Sequence, residues 1–447
     1  MKFINKYISI TDSRSKQLHK NSIIIIVCQF LSTAVNFLLV PLILKILGKE
    51  EYGIWVTLIG ILEWFAFFDI GLGHGLRNKY VESKLSNNIE EVLKYISTTF
   101  FMLLFISSVI FTFFSIFAYF SDWSVILNAP IELKYELKKL ALFLGFIFSL
   151  RFIINIVFVL LTADQSPGLQ SIILLMGNFF ALLSIFIISN TNIDSILTLG
   201  VIISSAQTFP ILFAFIFFFL TKYFNIRPSY RFFSKTHLKD IFSLGIKFFL
   251  IQITALILFY TNNIIISHIS GNIAVTEYSV AFKYTNTLYV IFMGILTPVW
   301  SACTEAYLRN DLEWIQKTIS RINKIWLIMV LLGLIFLLIS PIVYKFWLGT
   351  IQPDYKLIIL LVVYFIFTMK FTIYRTFMNG VGKIRLQFFI TSIEAVLHIP
   401  LAILLGRLLG FYGVVITMIL WAIFNCIWEP IQFKKIMNNN ARGIWNK

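Results

Sequence analysis

Arg151 stands near the middle of an apolar run, "LALFLGFIFSLRFIINIVFVLL", with Asn155 one helical turn further on. A guanidinium at such a depth costs on the order of 3 kcal/mol on insertion scales unless it meets water or a partner, so the position needs a chemical reason. Lys283 and Lys370 are similarly enclosed, whereas Lys247 and Arg375 lie nearer the ends of their runs, where a long side chain can snorkel. Taken together, these five cations describe a vestibule suited to an anion. A phosphate or pyrophosphate gains Coulomb energy in low dielectric and charge-assisted hydrogen bonds from arginine, while a neutral or cationic solute gains neither. A static tie between helices is the competing reading for each of them.

Acidic groups are fewer at the same depth. Glu63 and Asp69 share one run, and Glu394 lies in another with His398 at i+4 on the same helical face. Buried carboxyls and imidazoles are the side chains suited to carrying a proton, so these four are the candidates for ion coupling; a structural hydrogen bond between helices is the plainer reading of the Glu394 and His398 pair. The segment "FFDIGLGHGLRNK", residues 67–79, invites comparison with a phosphate-cradling glycine loop, but Leu76 occupies the place of the last glycine in Gly-x-Gly-x-x-Gly. It reads better as a helix leaving the apolar phase. If that helix continues, Asp69, Gly73 and Arg77 share one face and lead to Arg77 and Lys79 at its mouth.

The elements that must hold these groups are membrane spans. The 447 residues are 59% hydrophobic and 13% charged, with 48 Phe and a mean hydropathy of +0.86. Those proportions fit a polytopic membrane protein and not a soluble domain. The formal charge of +16 is dispersed between apolar runs instead of forming one basic face, so nucleic acid is not a partner. Cys28, Cys303 and Cys426 lie in or beside apolar segments without metal-ligand spacing and read as packing residues.

With about 20 apolar residues per span, twelve helices are expected, near 21–45, 52–72, 93–120, 138–163, 169–189, 195–220, 241–268, 274–304, 325–344, 357–379, 386–405 and 413–433. The fold class expected is therefore all-α and polytopic, with two six-helix lobes around a central cavity: an N-terminal lobe over 1–220, a linker over 221–240 and a C-terminal lobe over 241–447. Lysine and arginine crowd alternate connections, among them Arg77, Lys79 and Lys84, and Lys222, Arg227, Arg231, Lys235 and Lys239. By the positive-inside rule those connections and both termini are expected in the cytosol. The halves echo each other weakly, "GKEEYGIW" against "NIAVTEYSVAF" and "ADQSPGLQ" against "NGVGKIRLQ", as in transporters built by duplication. HExxH, GxSxG and Walker patterns are absent, so neither an enzyme nor a cofactor or metal is expected.

The segment "VPLILKILGKEEYGIWVTLIGILEWFAFFDIGLGHGLRNK", Val40 to Lys79, resembles the first hairpin of bacterial polysaccharide repeat-unit flippases, the O-antigen type of the multidrug/oligosaccharidyl-lipid/polysaccharide exporter superfamily. One departure is His74, where that family's pattern is expected to have asparagine. The resemblance implies alternating access: an undecaprenyl-pyrophosphate-linked oligosaccharide enters from the cytosolic face of the bacterial inner membrane and leaves outside for the polysaccharide polymerase machinery. An ion gradient, H+ or Na+, would drive it. Arg151, Lys283 and Lys370 would hold pyrophosphate or acidic sugars, and Arg77 and Lys79 would meet the head group at the cytosolic mouth. The runner-up is an organic-cation antiporter of the related multidrug branch, which calls for a cavity dominated by carboxylates.

Overall fold

A computed structural model describes residues 13–62, 72–86, 88–189, 195–349 and 352–446. Among these the chain is helical throughout, without a strand. Its helices are α1 (Ser13–Leu62), α2 (Leu72–Leu85), α3 (Ile89–Phe120), the short α4 (Trp123–Ile126), α5 (Lys134–Ile154), α6 (Ile156–Ala163), α7 (Pro167–Ile188), α8 (Ile196–Leu220), α9 (Lys235–Leu308), α10 (Leu312–Leu348), α11 (Tyr355–Val381), α12 (Arg385–Leu409) and α13 (Phe411–Met437). Ten are long and apolar enough to cross a membrane. This is a multi-pass membrane protein.

Two of the long helices are really pairs. Gly48 breaks α1 with φ 73° and ψ −177°, and Gly271 breaks α9 with φ 84° and ψ 171°. A side chain would be strained at either φ, and both glycines turn the chain through the same conformation. Counting both arms, the ten helices among the described residues accord with about twelve spans, the second expected span, 52–72, lying outside the described residues beyond Leu62. Gly48 begins the first echoed segment and Gly271 immediately precedes its counterpart, so that echo has a backbone counterpart. The second echo has one too, because Gln165 (φ 56°) and Gly382 (φ 74°) both take the left-handed region in the turns "ADQSPG" and "NGVGK".

Helix starts follow local chemistry. Asn88, Ser195, Asp311 and Asp354 each accept a backbone N–H in the first turn of the helix that follows, and Pro167 opens α7, where its missing N–H has no intrahelical partner to lose. Lipid-level side chains such as Phe113, Phe120, Leu338 and Phe346 are exposed, as expected where the outer solvent is hydrocarbon.

The chain divides into two compact units. One comprises residues 1–51 and 58–253, the other 52–57 and 254–447. In the first, α5 packs on α3 and α8, α7 on α8, and α2 on α3 and α6. The connection after α8 is docked on α3 of the same unit: Ser97 and Thr98 side chains accept the backbone N–H groups of Ser229 and Ser234 at 3.0 Å each, and the His237 ring meets Glu91 at 2.7 Å. In the second unit α13 lies against α11 and α12, and α10 against α11. Gly53 belongs to this second unit and presses on the start of the arm after Gly271: a Cβ there would sit 2.0 Å from the Asn272 carbonyl oxygen.

Candidate functional site

Expected helix 4 is not continuous. Asn155 takes φ −62° and ψ −11°, its carbonyl accepts from Phe158 at 2.9 Å in a tighter turn, and α5 gives way to α6. A break just after Arg151 exposes Asn155 while Ile154 and Ile156 stay buried. Around it lies a cavity of about 330 Å³ within the first unit, whose polar lining is Arg151, Asn155 and Gln170 and whose walls include Phe148, Phe152 and Ile211. The Thr162 hydroxyl donates to the Phe158 carbonyl at 2.7 Å and lies 3.2 Å from the Gln170 side-chain amide, which it holds at the wall. The Arg151 guanidinium lies 6.0 Å from the Phe148 ring centre.

A second cavity of about 260 Å³ adjoins the first, sharing Gly73, Asn155 and Gln170 and adding Arg77 and Thr162. Gly73 and Arg77 fall on one face of α2, as the i, i+4 spacing predicts. The two compartments therefore form a passage with one arginine in each and amide groups between. Its walls are largely apolar, Arg151 is half-buried among them, and Arg77 and Asn155 are exposed.

Beyond Thr162 the passage rests on a buried acid. The Asp164 carboxylate is 5% exposed and receives the hydroxyls of Tyr80 at 3.1 Å and Tyr223 at 3.0 Å, with Lys84 and Lys222 each at 2.6 Å. Burial opposes ionisation of Asp164, but the ammonium groups of Lys222 and Lys84 outweigh it and hold its carboxyl below the usual carboxylate range. Burial together with this negative neighbour pushes both tyrosine hydroxyls well above theirs. Three segments, α2, the α6–α7 turn and the connection after α8, are thus fastened at one point.

The second unit has a different polar centre. Arg375 on α11 donates through Nε (2.9 Å) and Nη2 (2.6 Å) to the same oxygen of Glu429 on α13, and Nη2 also reaches Asn425 at 3.4 Å. Glu429 is 1% exposed and Glu394 on α12 is 2% exposed, and each keeps one carboxylate oxygen without a hydrogen-bond partner. Glu394 lies within electrostatic reach of Arg375 and Glu429, with the Asn425 amide beside it.

Comparison with known proteins gives this arrangement its family. The polysaccharide biosynthesis protein family model matches residues 18–301, well over half of the chain. The chain belongs to that family. The MatE model matches residues 248–404 as well. Two curated relatives carry the name "Putative O-antigen transporter": one from Salmonella typhi, 25% identical over 358 residues, covering 78% of this chain and 72% of its own, and one from Salmonella typhimurium, 22% identical, covering 66% and 65%. A solved inward-facing structure of a multidrug resistance MATE family transporter of the MOP superfamily superposes with a TM-score of 0.76 at 16% identity, covering 94% of this chain and all of its own. At that identity the likeness establishes the fold. This member of the polysaccharide biosynthesis protein family is a multi-pass membrane protein with the fold of that transporter.

Within this family member the expected site residues separate into groups. Arg151 and Arg77 share the passage of the first unit, while Lys79, next to it in sequence, is paired with Glu82 at 2.8 Å. Lys370 is held between α11 and α10, 2.6 Å from the Asn323 amide oxygen and 4.4 Å from the Trp326 ring centre. Lys283 is exposed and donates to the Tyr52 hydroxyl at 3.1 Å. Arg375 is bound to Glu429. Glu394 and His398 stand on one face of α12, and the His398 ring meets the Asn262 side chain on α9 at 2.8 Å while its Nδ1 has no hydrogen-bond partner. Glu63 and Asp69 lie outside the described residues, as does the Lys247 side chain. Gln170, Asp164 and Glu429 were not singled out as site residues by sequence reasoning. Glu429 carried a signal, an acid inside the apolar run "FNCIWEPIQF"; Gln170 and Asp164 stood only in a turn motif.

Proposed function

We propose that this transporter is a flippase for undecaprenyl-pyrophosphate-linked oligosaccharide repeat units, moving them from the cytosolic to the outer face of the bacterial inner membrane for surface polysaccharide such as O-antigen or capsule. The observation that carries the reading is the passage of the first unit, with Arg151, Asn155 and Gln170 in one compartment and Arg77 in the next. Charge-assisted hydrogen bonds from arginine are worth about 1.5–3 kcal/mol each, enough for a pyrophosphate to repay partial dehydration in an apolar cavity. Amide groups beside the arginines suit sugar hydroxyls. The prenyl tail is itself a bilayer lipid and remains outside the passage.

Both termini are cytosolic in this reading, which puts Arg77 and the Asp164 cluster at the entry side in accord with the positive-inside rule. Alternating access exposes the passage to each face in turn. The ion gradient supplies the work, part of it through the inside-negative potential: each negative charge carried outward gains about 2.3 kcal/mol per 100 mV. Glu394 and Glu429 are the groups placed to carry a coupling proton. They also give the cation-antiporter reading its one favourable observation, although Arg375 already neutralises one carboxylate there. Replacing Arg151 by alanine tests the proposal: export of the glycan is expected to stop at unchanged protein abundance, and unaltered surface polysaccharide sinks it.

A further inference from the structure

A separate cavity of about 360 Å³ opens at the Asp164 cluster of the first unit, where the end of α2, the start of α3, the α6–α7 turn and the connection after α8 meet. Its charged lining is Lys84, Lys222 and Asp164. One ammonium neutralises one carboxylate; here two are brought to it, on different oxygens, and the three groups sum to +1. The acid is 5% exposed, and the Tyr80 and Tyr223 hydroxyls donate to the same two oxygens, so it presents little to a ligand. The lysines, 58% and 42% exposed, present more. An ammonium has three N–H donors: Asp164 takes one from each, the Tyr80 hydroxyl lies 3.5 Å from Lys84, and at least one donor on each lysine remains for an acceptor in the cavity.

We propose that this cavity binds the phosphodiester of an anionic phospholipid whose head group is uncharged and hydroxylated, of the phosphatidylglycerol kind. Charge selects that class. A phosphodiester carries one negative charge and brings the lysine–aspartate–lysine bracket to zero, whereas the diphosphate of a lipid-linked glycan carries two and overshoots. Phosphatidylethanolamine has the same phosphate but sets a third ammonium beside the two lysines. Asn88 and Asn225 also line the cavity, and their amides suit glycerol hydroxyls.

Two observations favour a lipid over a soluble phosphate ester. The cavity lies at the ends of the membrane-length helices α3, α7 and α8, the level at which head groups sit, and basic pockets between span ends are a common form of head-group site. Its rim is also apolar: Ile89, which opens α3, is 63% exposed, Phe224 beside it in the connection is 56% exposed, and Ile226 lines the wall, so acyl chains have an edge to follow. Neighbouring acids do not occupy the lysines. Glu82 is engaged by Lys79, and Glu90 and Glu91 by Lys94 and His237, and none of the three lines the cavity. Arg227, over the Phe224 ring at 3.9 Å, adds to the positive potential. Neither Arg151 nor Arg77 lines this cavity, so the site is apart from the passage and does not depend on the flippase reading. A lipid seated there ties together the same segments that Asp164 fastens.

The test is native mass spectrometry of the purified full-length chain in detergent, with dioleoyl-phosphatidylglycerol or dioleoyl-phosphatidylethanolamine added at equal concentration. The chain is expected to retain phosphatidylglycerol in preference. Lys84→Gln and Lys222→Gln each leave one ammonium for Asp164, so the clasp survives, and each is expected to weaken phosphatidylglycerol about fivefold and erode the preference. Lys138→Gln, which removes the same charge elsewhere in the unit, and Arg151→Ala are expected to bind as the wild type does. A thermal midpoint raised by phosphatidylglycerol in the wild type and not in the two cavity variants is the matching result in solution. Equal retention of the two lipids, or an undiminished preference in both cavity variants, overturns the proposal, and loss of the preference in Arg151→Ala moves the site into the passage and overturns it too. Two soluble probes separate the sources. If glycerophosphoglycerol, the deacylated head group, binds as tightly as the lipid, the site takes a free phosphate ester; if UDP-N-acetylglucosamine displaces the lipid, it takes a diphosphate; either result rejects the phospholipid.

Discussion

Asp164→Asn removes the negative charge that fastens three segments under the passage. The two lysines are 58% and 42% exposed, so each ion pair contributes only about 0.5 kcal/mol after solvent screening. The tyrosine hydroxyls contribute a similar loss: hydrogen bonds to a charged acceptor are worth about 1.5 kcal/mol or more each, and a neutral amide oxygen retains about two thirds of that. Asparagine also turns an NH2 group toward two ammonium groups that have nothing to accept. The sum is a loss of about 2–3 kcal/mol, to be read as a lower midpoint of thermal unfolding in detergent near neutral pH. Because the folded-state carboxyl is depressed, the wild-type advantage is fully present above the unfolded value of about 3.9 and is lost as pH falls through the lower folded value. Equal midpoints at neutral pH, or a difference that widens on acidification, refute the reasoning.

Three further predictions concern the passage and the second unit. Gly73→Leu is expected to close the junction of the two compartments and stop export while the protein still accumulates in the membrane, which immunoblotting and glycan staining compare directly. Gly53→Ala puts a Cβ 2.0 Å from a backbone oxygen, so the hairpin must move; a clear fall in thermal midpoint is expected, and an unchanged one contradicts the contact. Glu394→Gln is expected to impair transport at fixed abundance, and normal transport with unaltered pH dependence rejects its role in coupling.

The spans were legible because the bilayer demands long apolar helices, and even the turn at Gly48 stood out in "LGKEEYG". The break at Asn155 was not, since neither proline nor glycine marks it and only the local hydrogen bonding changes. Arg151 was found because a lone cation in an apolar run is costly, but its neighbour Gln170 comes from a different helix and only folding brings the two together. For the same reason Glu394 and His398 could be placed on one face, while the partner that takes the imidazole, Asn262, lies 136 residues away. Glu429 carried its signal as an acid inside an apolar run, but its partner Arg375 comes from another helix, 54 residues away, and only folding sets the two together.

The most direct measurement is made in a strain lacking this protein, by extracting its lipid-linked glycans and probing which membrane face they occupy. Complete undecaprenyl-linked repeat units trapped on the cytosolic face, released when the wild-type chain is restored but not when Arg151→Ala is supplied, are the expected result. Normally distributed units accompanied by altered sensitivity to organic cations would contradict the account.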